Sequence, residues 1–421
     1  MKFVGYQCSL CNTQYTPDQV TYTCPKDGGN LDVILDYDAL RRKNVKDLVL
    51  SSEASLWRYL PLLPVEDPGG YGTPFRAAGW TPVFAPPLLR KRLGLPHLWI
   101  KDEGRNPSAS FKDRASAVVV ARARQIGAEV VVTASTGNAG AALACMAAAI
   151  GQKAVIFAPR TAPPAKIAQL LIFGARVLLV NGTYDQAFDL TIQAAQEFGW
   201  YCRNTGYNPF TAEGKKTAAF EIWEWWSHLE DQPHNEKPLS VFVSVGDGNI
   251  ISGLHKGLKD LHGLGLLQAK ANARLGVRIF GVQSEGSAAV ANAYFANTET
   301  ITPVSAATLA DSISVDLPRD GVRAVRAPRQ TGGAYLLVTD QDILAAIAEL
   351  GLAGIFAEPA AATAYAGLVK AIHSGQIAPD DPVLVLNTGS GLKDVKAAML
   401  SVQAAPVIEP ELADLKRVLH L

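Results

Sequence analysis

Val130-Val131-Val132-Thr133-Ala134-Ser135-Thr136-Gly137-Asn138-Ala139-Gly140 runs from a continuous apolar stretch into a small polar turn. A strand buried on both faces reads this way, because neither face meets water. Similar runs recur along the chain. They predict strands at Leu98–Ile100, Val130–Thr133, Ala154–Phe157, Val177–Val180, Val241–Val245, Ile279–Val282, Tyr335–Val338 and Val383–Leu386. Ala/Leu-rich segments of helical period lie between most of them. The alternation predicts an α/β chain with parallel sheets.

In open sheets of this kind ligands bind at the carboxyl ends of the strands. Three glycine-bearing turns stand at such ends. The first is Ser135 to Gly140. Its hydroxyls, amide side chain and helix-start N–H groups make an anion site suited to a carboxylate. A plain helix cap by Ser or Asn is the alternative, but it explains only one polar residue of the cluster. The second is Gly246-Asp247-Gly248-Asn249-Ile250, where two glycines let backbone amides approach a phosphate. Ile251 stands where a dinucleotide fingerprint needs its third glycine, and the Lys-Ser/Thr pair of a P-loop is missing. The third is Asn387-Thr388-Gly389-Ser390-Gly391-Leu392-Lys393, either a hydroxyl-bearing site or a structural turn.

One lysine is placed oddly. Asn106-Pro107-Ser108-Ala109-Ser110-Phe111-Lys112-Asp113-Arg114 is a turn-forming run that leads into a helical pattern. A cation is disfavoured at a helix start. A neutral amine, or one held as an imine, suits Lys112 better, as in Schiff-base lysines.

At the N-terminus, Cys8 and Cys11, then Cys24 and Asp27, form two short pairs at tight turns. The spacing is that of a zinc ribbon with Asp27 in the fourth position. Either the three thiols and the carboxylate hold a structural zinc, or the ribbon survives by packing alone. Cys145 and Cys202 read as small buried hydrophobes.

The bulk numbers exclude several classes. Acidic and basic residues balance, 39 against 39, which removes any bulk electrostatic case for nucleic acid or an anionic membrane as partner. No apolar run is long enough to span a bilayer. The start lacks the apolar core of a signal peptide, and the cysteines form no disulfide framework, so a cytoplasmic setting is expected. The Pro/Gly-rich stretch 61–72 and the polar stretch 231–238 read as linkers, and 298–329 as a long functional loop. Trp223, Trp225 and Trp226 form an aromatic cluster suited to core or interface packing.

The Schiff-base lysine, anion loop, glycine-rich phosphate loop and late hydroxyl turn, in that order, resemble the pyridoxal-phosphate enzymes of the tryptophan-synthase-β type. Within that group the chain is most similar to the threonine synthases. The supporting runs are Gly79-Trp80-Thr81-Pro82, Lys101-Asp102-Glu103, Glu213-Gly214-Lys215-Lys216-Thr217 and Glu358-Pro359-Ala360, together with the loops quoted above. The resemblance implies two open parallel-sheet domains with a pyridoxal 5'-phosphate cleft between them and a zinc-ribbon-like knuckle in front. The expected divisions are a knuckle at 1–35, an extension and linker at 36–80, a catalytic body at 81–400 with a smaller subdomain at about 113–205, and a tail at 401–421.

The resemblance also implies residue roles. Lys112 carries the Schiff base and moves protons. Phe111 packs near the cofactor and Asn138 bonds its ring hydroxyl. Gly246, Asp247, Gly248, Asn249 and Ile250 hold its phosphate, and Thr388 faces the pyridine nitrogen. Ser135, Thr136 and Asn138 bind the substrate carboxylate. The implied reaction turns O-phosphohomoserine and water into L-threonine and phosphate, in a homodimer. A serine/threonine ammonia-lyase, or a β-replacement enzyme acting on O-phosphoserine, is the alternative. A nicotinamide-dependent oxidoreductase would need an acidic residue about twenty positions beyond the second loop, and 266–273 offers none. The family's phosphate-gripping arginine is replaced here by Thr211. Arg160, Lys166, Lys215 and Lys216 are candidate substitutes, unless the substrate carries no phosphate.

Overall fold

The computed structural model describes residues 3–162, 164–229, 237–267 and 276–420. Three strands open the chain: β1 (Phe3–Cys8), β2 (Gln14–Tyr15) and β3 (Leu31–Leu35). They form an antiparallel ribbon in the order β2-β1-β3. Short helices and turns lead through residues 36–82. The stretch 61–72 is not a loose tether, since Leu62, Leu63 and Val65 are buried in the core. The stretch 231–236, most of the second expected linker, lies outside the described residues.

Ten strands follow: β4 (Val83–Phe84), β5 (Leu98–Asp102), β6 (Val130–Ala134), β7 (Lys153–Pro159), β8 (Arg176–Val180), β9 (Tyr201–Cys202), β10 (Leu239–Ser244), β11 (Val277–Ser284), β12 (Tyr335–Val338) and β13 (Val383–Asn387). All eight strands expected from the apolar runs are among them. They divide into a six-stranded sheet, β12-β11-β10-β13-β5-β4, and a four-stranded sheet, β8-β7-β6-β9. Every pairing in these sheets is parallel except β4 with β5. Strands β6 and β10 are buried at every position, as helices on both faces require.

Each sheet has one place where the chain reverses its direction of travel. In the large sheet β10 leads to β11 and β12 on one side, and β13 returns on the other. In the small sheet β6 leads to β7 and β8, and β9 returns beside β6. Crevices outside such switch points are where open α/β sheets bind ligands. The loops that follow β10, β13, β6 and β9 therefore border these crevices.

The lysine run folds as expected into a helix, Lys112–Gln125, with Lys112 as its first residue. This helix crosses the helix Phe210–Ser227 so closely that a β-carbon on Gly214 would lie 2.1 Å from the Arg114 carbonyl oxygen. The stretch 298–329 is a loop only in its first part. Its end is the helix Gly321–Thr331, which opens on glycine and contains Pro328 yet buries one face at helical spacing. Trp225 and Trp226 pack edge-on against Trp99 at 5.3 and 5.8 Å. Among the described residues no helix is long and apolar enough to cross a membrane.

Candidate active site

A cavity of about 680 Å³ opens where the switch points of the two sheets face each other. Lys112, the Ser135–Asn138 turn and the Gly246–Ile250 turn all line it. Residues of the 298–329 loop close another side, among them Ser312 and Asp316.

Lys112 is held by what surrounds its neighbours. Arg114 is wholly buried and pairs with two carboxylates, donating to Glu103 at 2.7 Å from both Nε and Nη2 and to Glu221 Oε2 at 2.7 Å. Lys101 joins at 2.7 Å from Glu221. Two cations and two anions thus balance out of water, the condition under which buried charges persist. On the other side Asp113 accepts from the Ser108 backbone N–H at 2.6 Å and from the Ser108 hydroxyl. The turn before Lys112 is pinned at both ends, and the helix start has no side-chain cap.

Burial pushes the Lys112 amine below its ordinary basicity, and the nearby Arg203 charge adds to this. Glu358 and Asp247 pull the other way. A less basic amine is what imine formation needs, so the reading of Lys112 as an oddly placed cation has a physical basis.

Both anion loops present bare helix starts. The helix Asn138–Ala149 has Gly137 as its N-cap and receives no side-chain cap bond. Simple capping by Ser135 or Asn138 is therefore not what the polar turn does. The helix Asn249–Gly263 is likewise capped only by Gly248. Gly248 has φ +87°, and a β-carbon there would lie 2.7 Å from the Asp320 carbonyl oxygen. Only glycine suits such a cradle, and uncapped N–H groups at a helix start favour a phosphate. These residues fit the phosphate end of a pyridoxal-type cofactor.

Asn249 is anchored from behind. Its amide donates to Asp320 at 2.6 Å. Asp320 accepts from Arg323, which also reaches Asp32 of β3 at 2.6 Å. The ribbon thus connects to the glycine loop through one chain of polar contacts. Asn249 also accepts from the buried Lys215 Nζ at 2.6 Å.

The third turn stands behind the lysine. The Phe111 N–H donates to the Thr388 carbonyl at 2.9 Å. Phe111 is fully buried in the core, Thr388 nearly so, and neither lines the cavity. Asn138 donates through its amide to Glu358, which lies against Gly389: a β-carbon there would be 2.3 Å from Glu358 Oε1. Burial raises the Glu358 carboxyl, opposed by Asn138 and Lys112.

Three charged residues on or beside the site had no role assigned from sequence. Glu358 belongs to the run Glu358-Pro359-Ala360, but its bond to Asn138 spans the chain. Asp320 lies in what read as loop. Arg203 follows β9, a strand of two residues that the apolar pattern does not reveal. Of the four candidate substitutes for the missing arginine, Lys215 lines the cavity. Lys166 pairs with Asp311. Lys216 is turned away, paired with Glu213 and Asp260. Arg160 is exposed.

At the ribbon, the ligand atoms of Cys8, Cys11, Cys24 and Asp27 all lie within 4.8 Å of one another. Cys8 Sγ is 3.3 Å from Asp27 Oδ1, and Cys11 Sγ is 3.7 Å from Cys24 Sγ. Three thiols and a carboxylate so gathered match the donor number and type of a structural zinc.

Two parallel sheets that lend their switch points to one lysine-bearing cleft follow the plan of fold type II cofactor enzymes. The chain belongs to the pyridoxal-phosphate dependent enzymes, whose family model matches residues 75–389. It is 36% identical to the threonine synthase of Methanocaldococcus jannaschii, over 98% of each chain. It is 35% identical to that of Methanosarcina acetivorans, over 96% of this chain and 95% of the other. Among solved structures, threonine deaminase isoform 2 of Solanum lycopersicum superposes with a TM-score of 0.63 at 22% identity, covering 85% of this chain and 91% of that one. Diaminopropionate ammonia lyase of Escherichia coli does so with 0.64 at 20%, covering 76% and 87%. These structural likenesses concern the fold.

Proposed function

We propose that this chain is a threonine synthase, converting O-phosphohomoserine and water to L-threonine and phosphate. The observation that carries the reading is its likeness to enzymes of that name over nearly its whole length. The site geometry supports it by gathering Lys112 and two uncapped helix starts around one cavity.

Gly246, Asp247, Gly248, Asn249 and Ile250 hold the cofactor phosphate, with Lys215 offsetting its charge. Asn138 meets the ring hydroxyl, while Phe111 and Thr388 pack behind the lysine rather than on the cavity wall. Bound there, pyridoxal phosphate supplies an electron sink for negative charge developing on substrate carbons. Lys112, its amine made less basic by burial, takes and returns protons at those carbons. Ser135, Thr136 and the start of the Asn138 helix bind the substrate carboxylate. Ser312 and Asp316, in the loop part of 298–329, wall one side of the cavity and limit access of bulk water.

Cys8, Cys11, Cys24 and Asp27 hold a structural zinc that fixes the ribbon. A reducing, cytoplasmic setting fits five cysteines that form no disulfide. A homodimer accounts for the apolar side chains that the tail exposes, among them Val407 and Leu412.

The test incubates the holoenzyme separately with O-phosphohomoserine, O-phosphoserine, serine and threonine. Phosphate and threonine from the first substrate are expected. Absence of phosphate there, with 2-oxo acid from serine or threonine, would replace this reading with an ammonia-lyase.

A further inference from the structure

We infer that Arg203 is the specificity-determining residue that grips the phosphate at the far end of the substrate, in place of the arginine missing at position 211. This rests on the reading of the chain as an enzyme of phosphorylated substrates.

Thr211 cannot serve. It is fully buried, its hydroxyl donates to the Asn208 carbonyl at 2.7 Å, and it does not line the cavity. Lys215 faces the cavity, but its ammonium is bonded to Asn249 at the head of the glycine loop, where the cofactor phosphate belongs. That leaves a second anion to be met on the substrate side.

Arg203 stands on that side. Strand β9 lies beside β6, and the Arg203 N–H donates to the Val132 carbonyl at 2.7 Å. Its backbone therefore leaves the small sheet at the same switch point as the Ser135–Asn138 turn. The side chain lines the cavity and is wholly buried. Nε donates to the Ser116 hydroxyl at 3.2 Å and Nη1 to the Thr205 hydroxyl at 2.6 Å, which fixes the guanidinium plane. An aimed, planar fork of donors matches a phosphate better than an ammonium does.

Electrostatics agree. The Arg203 charge depresses both Lys112 and Lys215. Arg203 and Lys215 repel each other across one cavity, a repulsion relieved when the cofactor phosphate and the substrate phosphate enter. Arg319 is a further cation on the wall, but its guanidinium stacks over the Phe188 ring at 4.9 Å.

The test measures binding of inorganic phosphate to the holoenzyme by calorimetry, and KM for O-phosphohomoserine, in wild type, Arg203→Gln, Arg203→Lys and Arg319→Gln. Binding of L-threonine, followed by cofactor absorbance, reports on the carboxylate end. Arg203→Gln is expected to weaken phosphate binding and raise KM roughly 100-fold, the size of a lost charged hydrogen-bond pair. The loss of L-threonine binding is expected to be at least tenfold smaller, with partial recovery in Arg203→Lys. Equal losses of phosphate and L-threonine, undiminished phosphate binding in Arg203→Gln, a loss confined to Arg319→Gln, or no phosphate binding by wild type would each overturn the proposal. Arg203-dependent phosphate binding without turnover of O-phosphohomoserine would leave the grip standing and remove the proposed reaction.

Discussion

The side-chain amide of Asn138 donates to both carboxylate oxygens of Glu358, at 2.8 and 3.1 Å. The bond joins the first turn of the small sheet to a residue beside the last turn of the large one. It also keeps a negative charge near Lys112, where that charge opposes the effect of burial.

Glu358→Gln removes this attraction. The protonated Lys112 amine loses a partner, so its pKa falls further and the neutral amine forms at lower pH. The acidic limb of cofactor capture by the apo-protein is expected to move to lower pH. Stopped-flow absorbance across a pH series checks it; a limb that stays in place or moves upward refutes the coupling.

Lys112→Ala removes the group that links the cofactor and moves protons. Activity is expected to fall by about 10³-fold or more, with far-ultraviolet circular dichroism unchanged. Borohydride treatment followed by peptide mass spectrometry should find the cofactor on Lys112 in wild type and nowhere in the variant.

Glu221→Gln leaves Lys101 and Arg114 with one buried carboxylate fewer. Breaking such a pair costs about 3–5 kcal/mol. Urea unfolding monitored by tryptophan fluorescence reads the loss, and a change below about 1 kcal/mol would show that the clamp is not under charge tension.

Asp113 gives a pH signature. Burial raises its carboxyl from 3.8 to about 6. Between those values the folded protein holds a proton that the unfolded chain has released. Stability attributable to this group therefore falls as pH rises from about 4 to about 6. Relative to Asp113→Asn, wild type is expected to lose roughly 3 kcal/mol over that window. Parallel stability curves for the two proteins would exclude the shift.

The zinc reading of the ribbon predicts one equivalent of metal in the purified protein. Chelation under reducing conditions is expected to lower the melting temperature, and Cys24→Ser to do the same without added chelator. A full-strength melting transition in metal-free protein would leave the ribbon standing on packing alone.

Much of this architecture is legible in the residues, for a local reason. Strands such as Val383–Asn387 sit between helices and must be apolar on both faces, and Lys112 breaks a local rule about charge at helix starts. What could not be read depends on contacts made across the chain. Arg203 gains meaning only because a two-residue strand docks beside β6. Glu358 gains it from Asn138 and Gly389. The helix Gly321–Thr331 buries Ala324, Val325, Ala327 and Pro328 at helical spacing, but its glycine start and internal proline carry the marks of a loop.

The line of contacts from Asp32 through Arg323 and Asp320 to Asn249 makes the N-terminal ribbon a brace for the glycine loop rather than cargo carried in front of it. Trimming the first 35 residues to obtain a smaller biocatalyst would strip Arg323 of one of its two acidic partners.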